Sequence, residues 1–331
     1  RSKLVDELAS PTDFDMAVRD RAVQLSDSTT RMGGSPAVLP ELSIRVTDNQ
    51  IQYRYVSANF KSQHVDIEIS AADNSDWLLT TALELDDLLC RLRFNYPHLG
   101  TLLIRTSGSA ESVLKHDEAL SNPTTHTALE TALLWKRTLS RMDLTARTLI
   151  AAIEPGSCFV GILFELALAA DRSYMLSGIF EDNEEPLPAA TIQLSAVNLG
   201  VFPMANGISR LASRFWGDSN SLANAVEMSD TSLVASNAIE RGLVTYTPDD
   251  LDWEEELRIA IEERSSFSPD ALTAMEANHR FAGPETMATK IFARLSAWQN
   301  WIFTRPNASG PEGALRLYGT GSRPTYNTDR T

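Results

Sequence analysis

The chain has 331 residues, enough for one large domain or two smaller ones with a substantial core. Apolar residues make up 43% and charged residues 22% of the sequence, which is ordinary for a globular protein. The net charge of −15 argues against a nucleic-acid partner, because neutralising phosphates requires clustered Lys and Arg.

The sequence also lacks the features of membrane and metal proteins. No apolar run approaches the ~20 residues of a transmembrane helix, and there is no apolar leader at the start, so we expect no membrane partner and a cytoplasmic location. Cys90 and Cys158 lie in apolar surroundings, which favours buried thiols over a disulfide. The five His residues are scattered without paired spacing, so we expect no metal site.

The N-terminal segment is predicted to be helical over residues 1–30. Phe14, Val18, Ala22 and Leu25 recur at helical spacing, and the Gly-, Ser- and Pro-containing stretch 31–41 is typical of a linker. The pattern of the first 25 residues is echoed weakly in residues 241–264. The echo is either chance or a sign that the chain opens with the closing helical tail of a preceding unit that is absent here.

Residues 42–250 are predicted to form an α/β core. Strands and helices alternate along this range, which favours right-handed crossovers. The pattern predicts strands near residues 51–55, 65–69, 100–106, 148–153, 174–176 and 197–202, and helices over 77–93, 129–139 and 161–170.

The C-terminal part is predicted to hold helices over residues 251–304, followed by an extended tail over 305–331 that could wrap a neighbouring surface. Leu295, Trp298 and Trp301 form an apolar stripe at helical spacing. The stripe is interpreted as a core or subunit-packing surface, with a ligand-binding stripe as the alternative.

One carboxylate stands out within the predicted core. Glu165 lies inside a helix that is apolar almost all round, after a strand and a turn marked by Gly156. An ionisable group in such surroundings must be paired, hydrogen-bonded or shifted in pKa, because desolvating its charge is costly. Buried groups of this kind are candidates for a functional site.

Three stretches in order resemble the crotonase (enoyl-CoA hydratase) superfamily: Ala151–Asp171, Leu199–Pro203 and Ala238–Val244. The resemblance implies a crotonase-like α/β fold of the ClpP/crotonase type, with a spiral ββα core. It also implies a helical C-terminal region that mediates association into a homo-oligomer, most simply a homodimer.

Four further stretches narrow the resemblance within that superfamily: Glu154–Phe159, Glu184–Pro186, Glu262–Arg264 and Ala297–Phe303. They are similar to the second half of a two-unit branch that acts on ring-epoxidised benzoyl-CoA. The resemblance therefore implies a lyase or hydrolase of aerobic benzoyl-CoA catabolism. Such an enzyme opens 2,3-epoxybenzoyl-CoA with water and releases formate to give an aliphatic aldehyde acyl-CoA. The acyl-CoA substrate carries its own coenzyme A, and no other cofactor is implied.

The resemblance also implies roles for individual residues. A thioester oxygen would be held by backbone N–H groups, one near Ala110 and one near Gly161 or Ile162, where the helix dipole favours an anion. Glu165 aligns with the first acid/base carboxylate of the hydratases. The alternatives are that Gly161 permits close packing and that Glu165 is a buried carboxylate paired with a backbone N–H or an Arg.

The second acid of the hydratases is missing, because Ala196 occupies its position. Glu185, beside Glu184 in an acidic loop, could supply a second acid, and a merely solvated loop is the alternative. Ser157 and Cys158 could hydrogen-bond a substrate or simply form a turn.

Two other functions therefore stay open. The chain could be a non-catalytic crotonase-like scaffold or dimerisation half, or it could be an enoyl-CoA hydratase or isomerase that has lost its usual second acid.

Overall fold

The computed structural model describes residues 4–28 and 35–329 and contains one seven-stranded sheet whose strands lie in chain order. The first four strands pair antiparallel, and the last four pair parallel. The strands are β1 (Arg45–Val46), β2 (Gln50–Gln52), β3 (Val56–Phe60), β4 (His64–Ser70), β5 (Thr101–Ser107), β6 (Thr148–Ile153) and β7 (Arg172–Met175).

Helices connect the parallel strands and form the C-terminal part. Those that cover the sheet or link its parallel strands are α2 (Trp77–Asn95), α3 (Ala110–Ser121), α4 (His126–Asp143) and α5 (Gly161–Ala169). After β7 come α6 (Arg210–Arg214), α7 (Ser219–Val226), α8 (Ala235–Glu240), α9 (Trp253–Ser266) and α10 (Pro269–Arg280). The last helices are α11 (Met287–Thr289), a π-helical turn (Lys290–Leu295), α12 (Ser296–Ile302), α13 (Pro306–Ser309) and α14 (Ala314–Leu317).

The central parallel strands β5 and β6 are largely buried on both faces, which explains their nearly continuous apolar runs, whereas β4 alternates between buried and more exposed residues. All six residues of β6 are buried. Leu149 and Ala151 face the larger core together with α5, whereas Ile150 faces a second, smaller core that includes Trp253 of α9. The mixed α/β architecture predicted from the alternation of elements is therefore confirmed.

Two predicted strands differ from the structure. The strand predicted near residues 51–55 overlaps β2 only at residues 51 and 52, and β3 begins at Val56. Residues 197–202 do not form a strand; Ala196–Leu199 is instead a 3₁₀ helix. The Ser195 and Asn198 side chains form a capping box that stabilises this single turn, and Gly200 follows with φ of 122°. An apolar run of this length fits a strand or a short helix equally well, so the caps decided between them.

The structure describes part of the N-terminal segment that was predicted to be helical. Residues 14–27 form α1, but the helix buries none of its residues, and Phe14, Val18 and Leu25 are exposed. Residues 35–41 hold no helix or strand, whereas 1–3 and 29–34 of the predicted tail and linker lie outside the described residues. The division of the chain at these boundaries stays a prediction.

The predicted C-terminal helical region holds α9 to α12 and is not continuous. It is interrupted between Arg280 and Met287, where Gly283 and Pro284 stand. Proline lacks the backbone N–H and disfavours helical geometry in the residue before it, which explains the break. The predicted extended tail holds the short helices α13 and α14 before it becomes irregular up to residue 329.

Two smaller observations complete the fold. Both cysteines are free, with Cys158 buried and Cys90 half-buried, as the sequence predicted for thiols without a disulfide. Within residues 4–28 and 35–329, no helix combines the length and the apolar character needed to cross a membrane.

Candidate active site

Two turns meet at the carboxyl edge of the parallel strands. The Gly108 N–H, just after β5, donates to the Gly156 carbonyl, which follows β6 (3.3 Å). The Cys158 N–H donates to Thr106 Oγ1 of β5 (2.9 Å). Ligands of open α/β sheets bind at this edge, and α5 begins directly beyond it. The fold therefore brings β6, the turn after it and α5 to the edge of the sheet at which ligands of such folds bind.

Glu165 is fully enclosed one turn into α5. Every residue of this helix is buried, and Glu165 itself is 2% exposed. Its Oε1 accepts a hydrogen bond from Asn198 Nδ2 (2.8 Å), and its Oε2 accepts one from Arg210 Nη1 (2.7 Å). This geometry corresponds to the alternative given in the sequence analysis, in which Glu165 is a buried carboxylate paired with an Arg.

Arg210 is the centre of a buried ionic network. Its Nε and Nη2 donate to the two carboxylate oxygens of Asp143 at 2.9 and 2.6 Å, while its Nη1 also reaches the Phe202 carbonyl (2.9 Å). Burial raises the pKa of Glu165 and of Asp143, and the guanidinium of Arg210 opposes both shifts. Both carboxylate oxygens of Glu165 thus accept hydrogen bonds from buried side chains. A proton-transfer role for Glu165 stays a prediction.

Another buried carboxylate, that of Asp117 in α3, lies at the start of α5. Its Oδ1 accepts from the Ile162 N–H (3.3 Å), and its Oδ2 accepts from Ser195 Oγ (2.6 Å). Asp117 is only 5% exposed. The Ile162 N–H, predicted to hold a thioester oxygen, therefore already holds a carboxylate oxygen of the protein itself.

Gly161 makes this close approach possible. Its φ is +49°, and an added Cβ would lie 2.7 Å from Asp117 Cγ and nearer still to Oδ2. Its carbonyl accepts from Asn198 Nδ2 (3.0 Å). Only glycine combines this backbone conformation with room for the carboxylate, so Gly161 is a close-packing glycine in this structure.

The pKa of the Asp117 carboxyl group is shifted strongly upward. Burial raises its pKa to about 7, and the neighbouring carboxylates Glu165 and Asp230 add to the shift. The hydrogen bonds from Ser195 and Ile162 oppose it. A carboxyl group with such a pKa at a helix start is a functional-site candidate in its own right.

Sequence reasoning missed Asp117, although a signal was present. Val113, Asp117 and Leu120 recur at helical spacing and are all buried, so a carboxylate occupies a core position of α3. Arg210 and Asn198 were missed as well, and the short elements that carry them gave no comparable pattern.

The other predicted site residues lie along the two turns. Ala110 is the first residue of α3 and is half-buried, and the Ser157 N–H donates to the Glu154 carbonyl (2.9 Å) in a turn. The Ser157 hydroxyl is buried without a hydrogen-bond partner. Cys158 donates its Sγ proton to the Ser107 carbonyl (3.3 Å), and burial raises its thiol pKa to about 11, so the thiolate is scarce at neutral pH.

The predicted second acid is not part of this cluster. Glu185 and Glu184 are exposed in the irregular segment after β7, and Ala196 is exposed at the start of the 3₁₀ helix. The structure thus brings Gly161, Ile162 and Glu165 together and leaves Glu185 on the surface. Its role, like those of the other predicted site residues, stays a prediction.

Comparison with known proteins identifies one close relative in sequence. The chain is 42% identical to the benzoyl-CoA-dihydrodiol lyase of Aromatoleum evansii over 99% of the chain. The match covers 61% of that protein, so the chain spans less than two thirds of the length of its relative. No protein-family model matches the chain.

Solved structures establish the fold. An enoyl-CoA hydratase of Geobacillus kaustophilus HTA426 superposes with a TM-score of 0.62 at 17% identity, over 84% of this chain and 98% of that one. An enoyl-CoA hydratase of Bacillus anthracis gives 0.59 at 16% identity, over 83% and 100%. The chain has the crotonase-like fold implied by the three stretches around residues 151–171, 199–203 and 238–244.

Proposed function

We propose that this chain is part of a lyase acting on a ring-epoxidised benzoyl-CoA. The enzyme opens 2,3-epoxybenzoyl-CoA with water and releases formate, leaving an aliphatic aldehyde acyl-CoA. The similarity over 99% of the chain to a benzoyl-CoA-dihydrodiol lyase carries this proposal, and the crotonase-like fold supports it. The acyl-CoA substrate brings its own coenzyme A, and no other cofactor or metal is part of the proposal.

The geometry at α5 favours a second candidate for this part of the enzyme, a crotonase-like scaffold. In a working site, donors such as the Ile162 N–H would face the thioester oxygen as its negative charge develops, a contribution of roughly 3–4 kcal/mol per donor. Here Asp117 accepts from that N–H, and Glu165 is neutralised by Arg210. The chemistry would then take place in another part of the enzyme.

The two candidates differ in what the isolated chain can do. We would measure formate released from 2,3-epoxybenzoyl-CoA by the chain alone and by the A. evansii lyase, and the heat of benzoyl-CoA binding to the chain. Formate release by the chain supports the lyase function for this part. Formate release by the A. evansii lyase but not by the chain, together with no benzoyl-CoA binding to the chain at millimolar ligand, supports the scaffold.

Side-chain variants sharpen the comparison. If Glu165 moves protons, Glu165→Gln lowers formate release by about a hundredfold or more, whereas Glu185→Gln on the exposed loop leaves it unchanged. A Glu165→Gln variant that folds and keeps full turnover would remove Glu165 from the catalytic residues. A loss in Glu185→Gln instead would assign the acid to the loop.

Association and location are also proposed. Exposed apolar side chains of the C-terminal helices, among them Met287, Phe292 and Leu295, support packing against a second copy in a homodimer. The net charge of −15 supports a protein that binds no nucleic acid. A cytoplasmic location without a membrane partner is part of the proposal. Sedimentation of the chain and of a Phe292→Ser, Leu295→Ser variant would test the dimer.

A further inference from the structure

A cavity of about 370 Å³ lies at the far end of α5 from Asp117, between the core and the C-terminal helices. The ends of α4 and α5 line it together with α6, α9 and α10. Its charged lining consists of four arginines and three carboxylates: Arg210, Arg214, Arg264, Arg280, Asp143, Asp171 and Glu276.

Two of these arginines are already neutralised by carboxylates. Arg210 makes the paired contacts with Asp143 described above. Arg280 forms an ion pair with Asp171 (2.6 Å) and donates to two backbone carbonyls in the loop before β6 (2.5 Å each). The guanidinium groups of Arg210 and Arg280 are therefore already occupied by acceptors of the protein itself.

The other two arginines, Arg214 and Arg264, have no carboxylate partner within hydrogen-bond distance among the described residues. Arg214 donates from Nε to the Gly242 carbonyl (2.5 Å), and within the described ranges it forms no ion pair with a carboxylate. Burial alone lowers its pKa. The Nε of Arg264 is buried without a hydrogen-bond partner, and its Nη1 lies 3.9 Å from Glu276 Oε1, beyond hydrogen-bond distance.

Glu276 compensates Arg264 only weakly. Its Oε1 accepts from Thr148 Oγ1 (2.9 Å), and burial together with the charge of Asp171 raises its pKa to about 7. Burial therefore opposes the charged form of this carboxyl group, and its distance from Arg264 Nη1 is too long for a hydrogen bond. A buried guanidinium donor without a partner is costly. Because Arg264 lines the cavity, a bound anion toward which its side chain turns would remove this cost.

We propose that Arg214 and Arg264 form a binding site for a small oxyanion, a phosphate or a carboxylate group, in this cavity. The planar guanidinium fork matches both groups and binds them with paired hydrogen bonds. The volume of about 370 Å³ falls in the usual range of small-ligand pockets. Neither Asp117 nor Glu165 lines the cavity, although Arg210, which pairs with Glu165, does. The proposed oxyanion site does not depend on the proposed lyase function.

Thermal unfolding and calorimetry of the chain test this site with inorganic phosphate and acetate as probes, at constant ionic strength against chloride. We expect saturable stabilisation, with the stronger response to phosphate or to acetate identifying the preferred oxyanion. Arg214→Gln and Arg264→Gln should each weaken binding at least about tenfold. Arg258→Gln is the matched control, because Arg258 lies exposed on α9 outside the cavity.

Glu276→Gln gives an independent result of opposite sign. Removing this carboxylate leaves Arg264 without its nearest anionic neighbour, so oxyanion binding should tighten. This variant therefore tests the site even if an arginine variant fails to fold. Phosphate and acetate that act no differently from chloride would overturn the proposal. Equal losses in Arg258→Gln and Arg264→Gln, or weaker binding in Glu276→Gln, would do the same.

Discussion

Substituting Gly161 tests how tightly Asp117 closes the start of α5. In Gly161→Ala the new Cβ would overlap the Asp117 carboxylate, whose Cγ lies 2.7 Å from the Cβ position. The carboxylate must move and lose its hydrogen bonds to Ser195 and Ile162. Alanine would also adopt a φ of +49°, which favours glycine.

The expected magnitude follows from these two effects. The left-handed backbone costs about 1–2 kcal/mol for a residue with a Cβ. Losing hydrogen bonds to a charged group costs about 1.5–3 kcal/mol each, part of which relaxation recovers. Gly161→Ala should therefore lower the free energy of unfolding by about 3–5 kcal/mol, and Asp117→Ala, which also removes a desolvated charge, by about 2 kcal/mol.

The double variant separates the clash from the backbone strain. Without the carboxylate, Gly161→Ala meets no obstacle, so Gly161→Ala with Asp117→Ala should cost about 2–3 kcal/mol less than the two single effects together. Urea denaturation of the four proteins gives this coupling free energy. Additivity to within about 0.5 kcal/mol would refute the contact between Gly161 and Asp117.

Three further predictions concern the buried groups. Arg210→Met leaves the carboxylates of Glu165 and Asp143 without their cation and should lower the free energy of unfolding by about 3–5 kcal/mol, measured by denaturation; a cost below about 1 kcal/mol would contradict the ionic network. Because the folded pKa of Asp117 is raised from 3.8 to about 7, the folded state holds a proton that the unfolded state loses between these values. The wild-type free energy of unfolding should therefore fall relative to Asp117→Asn as pH rises from about 4 to 7, and parallel pH profiles would exclude the shift. Cys158 should resist thiol reagents in the native state at pH 8, because its thiol is buried with a pKa of about 11; modification at the rate seen in denaturant would show that the turn opens.

The sequence determined the main α/β elements because their apolar periodicity is strong. β6 and α5 are buried on all sides, so nearly all of their residues are apolar, and β6 was predicted residue for residue. The sequence also identified Glu165 as an ionisable group that had to be compensated. It predicted neither β3 nor α3, the helix that carries Asp117. It also missed the break after Arg280 and the 3₁₀ turn at Ala196–Leu199, which depend on proline and on local caps.

Only the tertiary structure decided which groups compensate one another. Arg210 lies 45 residues from Glu165 and Ser195 lies 78 residues from Asp117, so no local pattern joins them. Folding places these distant groups in one low-dielectric core, where each charge must find a hydrogen-bonding partner. For that reason, the start of α5 is recognisable in the sequence, whereas its closure by Asp117 is visible only in three dimensions.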